Sequence, residues 1–276
     1  MSTHASKFDI PTLPLVVMTD LDGTLLDHHS YSAKAAKPAL KQLRERHIPV
    51  LFNTSKTCDE VTGLRHELDN RYPFVCENGS VIHIPKPDES GLNSEVLGVS
   101  YVDILKTLHQ LHKEGFRFRG FNDMPAAEVA AMTGLTQDNA WLAKKRAASE
   151  PLLWHDSDEA LDRFRQRLAE YHLTLTKGGR FYHVMGTTNK ASGLEFFRQY
   201  YQHQWQTTPL LVALGDGEND RAMLEAADYP IVIPGENQTL TLQHPDARTA
   251  THKGPAGWNT EILTLLEQLS KEPGHG

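Results

Sequence analysis

Near its beginning the chain reads Leu15-Val16-Val17-Met18-Thr19-Asp20-Leu21-Asp22-Gly23-Thr24, an apolar run followed at once by two carboxylates and a glycine. A short apolar run bounded by turn residues is typical of a buried strand. Functional groups of open α/β sheets collect at the carboxyl ends of strands, where Asp20 and Asp22 would lie. One acid can then act as a nucleophile and the other as a proton carrier, with a metal ion offsetting their repulsion. The alternative is ordinary Asp-Gly turn chemistry.

Strands and helices alternate in the first third and the last third of the chain. In the first third we predict strands at 15–18, 48–52 and 74–76, with helices at 35–46 and 57–68. In the last third we predict strands at 210–214 and 231–233, with helices at 191–201, 220–227 and 260–269. Alternating units of this length predict a parallel sheet with right-handed crossovers.

The middle of the chain has a different pattern, set off by a break at 85–91 and another at 186–189. Here we predict helices at 101–112, 125–132 and 158–171, with short strands at 116–118, 152–154, 173–175 and 181–184. Helices segregated from short strands predict an α+β domain. The predicted organisation is therefore an α/β core formed by 1–84 and 187–276, with an inserted cap at 85–186 that can act as a hinged lid.

Composition narrows the classes of partner and the compartment. The net charge of the 276 residues is −7 without a compensating basic stripe, which argues against a nucleic-acid partner. No apolar run approaches the roughly 20 residues that cross a bilayer, so we expect no membrane partner. The chain has two cysteines without metal-ligand spacing and no secretory signal pattern, which favours a cytoplasmic location. We expect a monomer or a weak homodimer.

Two positions have the chemistry of a phosphate site. Thr54, Ser55 and Lys56 follow the second predicted strand and precede a helix, where a hydroxyl and backbone N–H groups bind anions. The alternative for Thr54 or Ser55 is a helix cap. Lys190 begins a later predicted helix, where a cation opposes the helix macrodipole. That local conflict is typical of a functional lysine, although exposed lysines are common.

A second acidic turn, Gly215-Asp216-Gly217-Glu218-Asn219-Asp220, directly follows the apolar run at 210–214. Carboxylates packed into one turn are costly unless a cation is present. Oxygen ligands on a tight loop suit Mg²⁺, although Mn²⁺ and Co²⁺ accept the same ligands. The alternative, an Asx-turn followed by a helix cap, explains one aspartate better than the whole run. We therefore predict a Mg²⁺ cofactor.

These stretches together resemble the haloacid dehalogenase-type phosphatases. The four motifs of that family match Asp20-x-Asp22-x-Thr24, Thr54, Lys190 and Gly215-Asp216-x-x-Asn219-Asp220, in this order. The second acid of the first motif points to phosphoryl transfer, because the dehalogenases lack it. Glu77-Asn78-Gly79 resembles the branch whose α+β cap is inserted between the second and third motifs. The resemblance implies a Rossmann-like parallel-sheet core.

The resemblance also implies a role for each acid. Asp20 would attack phosphorus and form an aspartyl-phosphate, while Asp22 would protonate the leaving oxygen and later take a proton from water. Mg²⁺ would be held by the Asp20 carboxylate, the Asp22 carbonyl and Asp216. Thr54 and Lys190 would bind the remaining phosphate oxygens. Asn219 would orient Lys190 or water at the metal, as would Asp220.

Two cap segments, 144–151 and 177–183, are candidates for binding the rest of the substrate. Arg146 suits capture of a carboxylate, and a hydroxyl or carboxylate suits sugar hydroxyls. The alternative is a solvated helix end and a hairpin turn. The predicted substrate-binding residues are Thr54, Ser55, Lys56, Arg146, Ser149, Glu150, Gly179, Arg180, Lys190 and Asn219.

With Ser55-Lys56-Thr57 and Gly254-Pro255-x-Gly257-Trp258, these segments are similar to the phosphatases of mannosyl-3-phosphoglycerate. That resemblance implies hydrolysis to mannosylglycerate and phosphate, on a small phosphorylated sugar acid. The alternatives are a glucosyl-3-phosphoglycerate or general sugar-phosphate phosphatase, a phosphomutase, and a non-catalytic binding protein. Mannose and glucose differ in the direction of one hydroxyl, which a sequence does not reveal.

Overall fold

The computed structural model describes residues 13–88, 90–178, 180–236 and 239–271. Its strands are β1 (Leu15–Thr19), β2 (Val50–Asn53), β3 (Phe74–Cys76), β4 (Val81–Pro85), β5 (Leu92–Val96), β6 (Phe118–Gly120), β7 (Ser149–Trp154), β8 (Leu173–Lys177), β9 (Tyr182–Gly186), β10 (Leu210–Gly215), β11 (Tyr229–Val232) and β12 (Arg248–Thr249). Its helices are α1 (Lys37–Glu45), α2 (Cys58–Glu67), α3 (Tyr101–Lys113), α4 (Ala126–Thr133), α5 (Gln137–Ala143), α6 (Asp158–Glu170), α7 (Lys190–Trp205), α8 (Arg221–Glu225) and α9 (Gly254–Lys271). Gly179, a predicted substrate residue, lies outside the described residues. Among those described, no helix combines the length and the apolar character that crossing a bilayer requires.

The chain forms two compact units. The first unit comprises Met1–Asn53, Lys86–Gly91 and Gly193–Gly276, and the second comprises Thr54–Pro85 and Leu92–Ser192. The predicted division into a core and an inserted cap at 85–186 stays a prediction.

The first unit contains a parallel sheet in the order β12-β11-β10-β1-β2. Every residue of β1 is buried, as expected of a parallel strand covered on both faces. β1 and β10 run side by side with Thr19 opposite Leu214, so both strands end at the same edge. This parallel arrangement confirms the predicted α/β class and brings the loops that follow β1 and β10 together.

The second unit contains two antiparallel groups of strands, β3-β4-β5 and β6-β7-β9-β8. Alternate residues of a strand point to opposite faces. On one face of the four-stranded sheet Leu152 and Val184 join a buried cluster with α3 and α6. On the other face Leu153 packs against a cluster formed by α4 and α5. These segregated helices and short strands confirm the predicted α+β character.

Several elements were missed or misplaced by the sequence analysis. The predictions omitted α5, β4, β5 and β12, and they began the last helix at 260 instead of Gly254. Gly254-Pro255-Ala256-Gly257 has the composition of a loop, but proline is tolerated in a first helical turn. Gly257 is required by packing, because a Cβ there would lie 1.9 Å from the His252 carbonyl oxygen.

Candidate functional site

Three aspartates of the first unit form an acidic cluster. Ligand oxygens of Asp20, Asp216 and Asp220 all lie within 4.8 Å of one another. Asp20 is 6% exposed and Asp220 is fully buried, whereas Asp216 is half-buried. Since β1 and β10 are neighbours, the cluster follows directly from the register of the sheet. Carboxylates held this close repel each other unless a cation or a proton intervenes.

The loop after β1 closes tightly on Asp216. The Thr24 hydroxyl donates to Asp216 Oδ1 at 3.3 Å. Gly23 has φ +79°, and a Cβ at this position would lie 2.7 Å from Asp216 Oδ2. Glycine is therefore required at position 23 for two reasons: its left-handed backbone conformation and the close approach of the Asp216 carboxylate.

Asp220 organises the turn that follows β10. Its Oδ2 accepts hydrogen bonds from the backbone N–H groups of Asp216 (3.1 Å) and Gly217 (3.0 Å). Asn219 is half-buried on the same turn, whereas Glu218 is exposed and pairs with Arg221. Asp220 thus fixes the main chain around Asp216 and also belongs to the acidic cluster, whereas the sequence analysis gave it only an orienting role.

A hydrogen bond to β10, and a second one from Thr19, which is itself bonded to α9, hold the backbone at Asp20. The Asp20 N–H donates to the Leu214 carbonyl at 2.9 Å, and the Thr19 hydroxyl donates to the Asp20 carbonyl at 2.7 Å. Trp258 Nε1 of α9 donates to the Thr19 hydroxyl at 3.0 Å. The carboxylate of Asp20 is therefore presented by a backbone that is fixed on two sides.

The donor set of the acidic cluster fits Mg²⁺. Its side-chain ligands are carboxylate oxygens, which hard divalent cations prefer, and no soft sulfur ligand is among them. The Asp22 side chain is not one of the cluster's members. The prediction that Asp22 contributes its carbonyl, leaving its carboxylate for proton transfer, therefore stays open.

In the second unit, the loop at 54–57 has fixed main-chain contacts. The N–H of Asn78 donates to the Thr54 carbonyl at 2.9 Å, and that of Glu77 donates to the Lys56 carbonyl at 3.0 Å. The cap of α2 is Thr57, whose hydroxyl accepts from the N–H of Glu60 in a capping box. The alternative that Thr54 or Ser55 caps this helix is therefore wrong, because Thr57 does so.

Lys190 is the first residue of α7 and is fully buried, with 0% exposure. Buried lysines are rare, because an ammonium group taken out of water needs an anionic or hydrogen-bonding environment. The helix start is fixed by Asn189, whose Oδ1 accepts from the N–H of Ala191 at 2.8 Å. The prediction that Lys190 begins a helix is confirmed, and its burial disfavours the alternative of an ordinary surface lysine.

Arg146 lies between α5 and β7 and contacts the 54–57 loop. Its Nη1 donates to the Ser55 carbonyl at 2.8 Å and to the Ser149 hydroxyl at 3.4 Å, and its Nε donates to the Ala143 carbonyl at 2.9 Å. Nη2 has no hydrogen-bond partner in the part of the chain that the structure describes. Arg146 is therefore anchored through Nε and Nη1, and the N–H groups of Nη2 remain for an anion.

Glu150 is buried, with both carboxyl oxygens occupied by protein donors. Oε1 accepts from the N–H of Asn122 at 2.7 Å, and Oε2 accepts from the Tyr101 hydroxyl at 2.8 Å. A Cβ on Gly120 would lie 2.2 Å from Oε1, so glycine leaves room for the carboxyl. Burial raises the pKa of Glu150 to about 7, although these hydrogen bonds lower it in part. Each oxygen has a lone pair left for a second donor, but Glu150 is only 1% exposed, so the predicted role in binding sugar hydroxyls would require the carboxyl to become accessible.

The raised pKa of Glu150 leads to a stability prediction. The folded protein binds the proton of the Glu150 carboxyl more tightly than the unfolded chain does. The protonated carboxyl therefore makes its full contribution to the free energy of unfolding below about pH 4.5, and this contribution is lost as the pH rises through about 7. Glu150→Gln has no titrating carboxyl at this position and should not show this loss. We therefore expect the free energy of unfolding of the variant, relative to that of the natural protein, to rise by about 3 kcal/mol from pH 4.5 to pH 8. Urea denaturation at both pH values measures the difference.

Glu159→Gln is the matched control for Glu150→Gln. Backbone hydrogen bonding at the start of α6 and the Ser157 hydroxyl lower the pKa of Glu159, so its replacement has the opposite pH dependence. An unchanged stability difference between the Glu150 variant and the natural protein at the two pH values would contradict the raised pKa.

The segment at 177–183 joins the antiparallel strands β8 and β9, as the alternative of a hairpin turn expects, and the predicted role in substrate binding stays a prediction. The N–H of Gly178 donates to the Phe181 carbonyl at 2.9 Å, between β8 and β9, and Arg180 is exposed in this turn. His183 follows in β9, where burial and the Arg146 charge lower its pKa to about 3. The imidazole of His183 is therefore neutral near pH 7, whereas Lys177 and Arg180 are exposed cations on either side of the turn.

Glu77 is the residue whose position the sequence analysis did not anticipate. Its carboxylate is 1% exposed and contacts the 147–149 segment. Asn78-Gly79 is a recognisable signal for left-handed turn conformations. The partners of Glu77 lie about 70 residues further along the chain, and no local pattern indicates them.

Comparison with known proteins identifies related sequences over most of the chain. Residues 17–243 match the haloacid dehalogenase-like hydrolases. A protein of Persephonella marina named glucosyl-3-phosphoglycerate/mannosyl-3-phosphoglycerate phosphatase is 35% identical over 270 residues, covering 93% of this chain and 99% of the relative. A protein of Methanococcoides burtonii with the same name is 36% identical over 264 residues, covering 91% and 97%.

Solved structures show the same fold at lower sequence identity. A protein of Bacteroides thetaiotaomicron, described among the phosphatases of the haloalkanoate enzyme superfamily, has a TM-score of 0.66 and 17% identity. The match covers 98% of each chain. This likeness extends the agreement in fold to nearly the whole length and confirms a Rossmann-like core with an α+β cap.

Proposed function

Because this chain belongs to the haloacid dehalogenase-like hydrolase family, we propose that it is a Mg²⁺-dependent phosphatase that hydrolyses mannosyl-3-phosphoglycerate to mannosylglycerate and phosphate. The observation that carries the proposal is the acidic cluster of Asp20, Asp216 and Asp220 at the ends of two adjacent parallel strands. Asp220 has a structural role in the turn after β10, whereas Asp20 and Asp216 add two further carboxylates that the turn does not need. The two relatives, whose names include this substrate, support the choice of substrate.

In the first step a carboxylate oxygen of Asp20 attacks the phosphorus atom of the ester. The new oxygen–phosphorus bond forms as the bond to the glycerate oxygen breaks. Asp22 donates its proton to that leaving oxygen, so mannosylglycerate departs as a neutral alcohol at this position. The fixed backbone at Asp20 keeps the attacking oxygen oriented, which lowers the entropic cost of the step.

In the second step water attacks the phosphorus atom of the aspartyl-phosphate. Asp22, now ionised, accepts a proton from the water, and the bond between phosphorus and the Asp20 oxygen breaks. Inorganic phosphate leaves, and both aspartates return to their starting protonation states. General acid–base catalysis of this kind contributes typically about 10²–10⁴-fold.

Asp20, Asp216 and the Asp22 carbonyl would hold Mg²⁺, with Asp220 fixing the Asp216 loop. When bound, the ion supplies charge neutralisation at the phosphate and lowers the repulsion between the carboxylates. Thr54, Ser55, Lys56 and Lys190 are proposed to bind the phosphate oxygens, and Asn219 to orient Lys190. Their motif order supports these roles.

Arg146 is proposed to bind the substrate carboxylate through its Nη2 N–H groups, since Nε and Nη1 are already held by protein carbonyls. Ser149, Glu150, Gly179 and Arg180 are the remaining proposed substrate residues. Arg180 is an exposed cation, whereas the Ser149 hydroxyl already donates to Glu77. Of the proposed substrate residues between positions 146 and 180, Arg146 and Arg180 therefore have the positive charge that suits an anionic substrate.

The glucosyl compound is the second candidate substrate, because the names of both relatives include it. The test is kcat/KM for phosphate release from the mannosyl compound, its glucosyl analogue, 3-phosphoglycerate and mannose-6-phosphate, with Mg²⁺ and after chelation. We expect a preference of about 100-fold for the mannosyl compound over the two simple phosphates, about 2.7 kcal/mol of transition-state binding.

Each other outcome of this experiment has a defined meaning. Equal values of kcat/KM on all four compounds would indicate a general sugar-phosphate phosphatase. Phosphate transfer that needs an acceptor sugar would indicate a phosphomutase. Activity that survives complete removal of divalent cations would contradict the metal dependence. No phosphate release from any compound would favour a non-catalytic binding protein.

A further inference from the structure

The turn after β3 has an unusual backbone conformation. Glu77, Asn78 and Gly79 have φ values of +54°, +55° and +96°, so three consecutive residues are left-handed. For residues other than glycine this conformation costs on the order of 1–3 kcal/mol each and persists only where the surroundings enforce it. Such strain occurs mostly at sites where a side chain must be placed in one position. The side chain that this turn places is the carboxylate of Glu77.

The carboxylate of Glu77 accepts hydrogen bonds from the start of the 147–149 segment. Oε1 accepts from the N–H of Ala147 at 2.8 Å, and Oε2 accepts from the N–H of Ala148 at 3.1 Å. The Ser149 hydroxyl donates to Oε2 at 2.6 Å. Consecutive N–H groups that converge on one anion form a concave anion site, here filled by the protein's own carboxylate.

These bonds determine how Arg146 is held. The Ser149 hydroxyl donates its one hydrogen to Glu77, so a lone pair of the hydroxyl faces Arg146 Nη1, 3.4 Å away. Nη1 also donates to the Ser55 carbonyl at 2.8 Å. Glu77 therefore fixes the residues that follow Arg146 and orients one acceptor of its guanidinium group. The other end of the segment is held by Glu150, through Tyr101 and Asn122.

We propose that Glu77 is a positioning residue for substrate specificity, which holds Arg146 so that its free N–H groups face the substrate carboxylate. This inference rests on the proposed function, because it concerns how that substrate is read. Glu77 itself touches no substrate. The 54–57 loop is held to the same turn by backbone bonds from Glu77 and Asn78, and a side-chain substitution at Glu77 leaves those bonds in place.

The test compares mannosyl-3-phosphoglycerate with its carboxamide derivative, which lacks the negative charge. In Glu77→Gln a single amide oxygen must serve donors that two carboxylate oxygens now share. We expect kcat/KM for the acid to fall about tenfold, mainly through KM, while kcat/KM for the carboxamide stays within about twofold. In an Arg146→Lys background the same substitution should add no further loss, because coupled residues are not additive.

Glu60→Gln is the matched control, since Glu60 is a capping residue whose carboxylate accepts from the N–H of Thr57. We expect it to lower stability without changing the ratio between the two substrates. Equal losses on acid and carboxamide in Glu77→Gln would assign Glu77 a purely structural role. If the losses of kcat/KM caused by Glu77→Gln and Arg146→Lys multiply in the double variant, the inference would be overturned as well. A natural protein that does not distinguish acid from carboxamide would instead contradict the proposed substrate.

Amide hydrogen exchange supplies a readout that does not depend on activity. We expect the N–H groups of Ala147 and Ala148 to exchange at least about tenfold faster in Glu77→Gln than in the natural protein, because they lose a charged acceptor. Unchanged exchange at these two residues would show that Glu77 does not hold the segment, whatever the substrate.

Discussion

We expect Asp20→Asn to release phosphate at least about 10⁴-fold more slowly than the natural protein, because the amide is not a nucleophile and no aspartyl-phosphate can form. The substitution changes the shape of the side chain little. It does not alter the hydrogen bonds that the Thr19 hydroxyl makes with the Asp20 carbonyl and with Trp258 Nε1. Steady-state phosphate release with saturating Mg²⁺ measures the loss. Acid quenching during turnover, followed by peptide mass spectrometry, should locate a phosphoryl group on the Asp20 peptide of the natural protein only.

Asp27→Asn controls for the chemistry of the substitution itself. Asp27 lies beyond the same loop, and its Oδ1 accepts from the N–H of Ser30 at 2.8 Å, which an amide oxygen also does. We expect activity within about twofold of the natural protein, since no reacting group is changed. If Asp20→Asn kept a tenth or more of the natural activity, the nucleophile would have to be another residue.

The second large effect concerns stability. We expect Gly79→Ala to lower the free energy of unfolding by about 4 kcal/mol or more, or to prevent folding, because of backbone strain and a main-chain clash. Gly79 has φ +96°, and an added Cβ would lie 1.9 Å from the carbonyl oxygen of Asn189. The clash is with backbone next to Lys190, which a rotamer change does not relieve. Urea denaturation monitored by circular dichroism measures the change.

Gly115 provides a matched control for Gly79. It has the same φ of +96°, but a Cβ there would meet nothing within 4 Å. Gly115→Ala therefore reports the left-handed conformation alone, for which we expect a loss of about 1 kcal/mol. The difference between the two variants measures the close approach of Gly79 to Asn189. Equal losses in both would mean that the turn and the start of α7 separate easily.

The positions of Asp20 and Asp216 were predictable from local sequence. Each follows an apolar run of strand length, and alternation with helices implied a parallel sheet whose strands end at one edge. The adjacency of β1 and β10 was not predictable from these patterns, because strand order is a property of the whole sheet. The motif order of the family resemblance supplied the pairing that periodicity could not.

Other features depended on contacts that no local pattern records. Glu150 looks like an accessible acid in the sequence, yet Gly120 leaves space for its carboxyl and Asn122 and Tyr101 satisfy it. Thr57 caps α2 because Glu60 completes a capping box, a signal that was present but was overlooked beside Thr54 and Ser55. The left-handed turn at 77–79 requires neighbours from β7 and α7 to enforce it.

The bond between Thr19 and Trp258 spans 239 residues, and that between Thr24 and Asp216 spans 192. A ribosome adds about 5–20 residues per second, so β1 waits on the order of ten seconds or longer for β10 to be synthesised. During that time β1 can pair with β2 along one edge, while its other edge remains an open apolar template for foreign strands. Among the strands that the structure describes, β1, which leads directly to Asp20, is thus synthesised first and completes its pairing only after β10 has been made. A nascent chain that ends before β10 therefore lacks Asp216 and Asp220, two of the three residues of the acidic cluster.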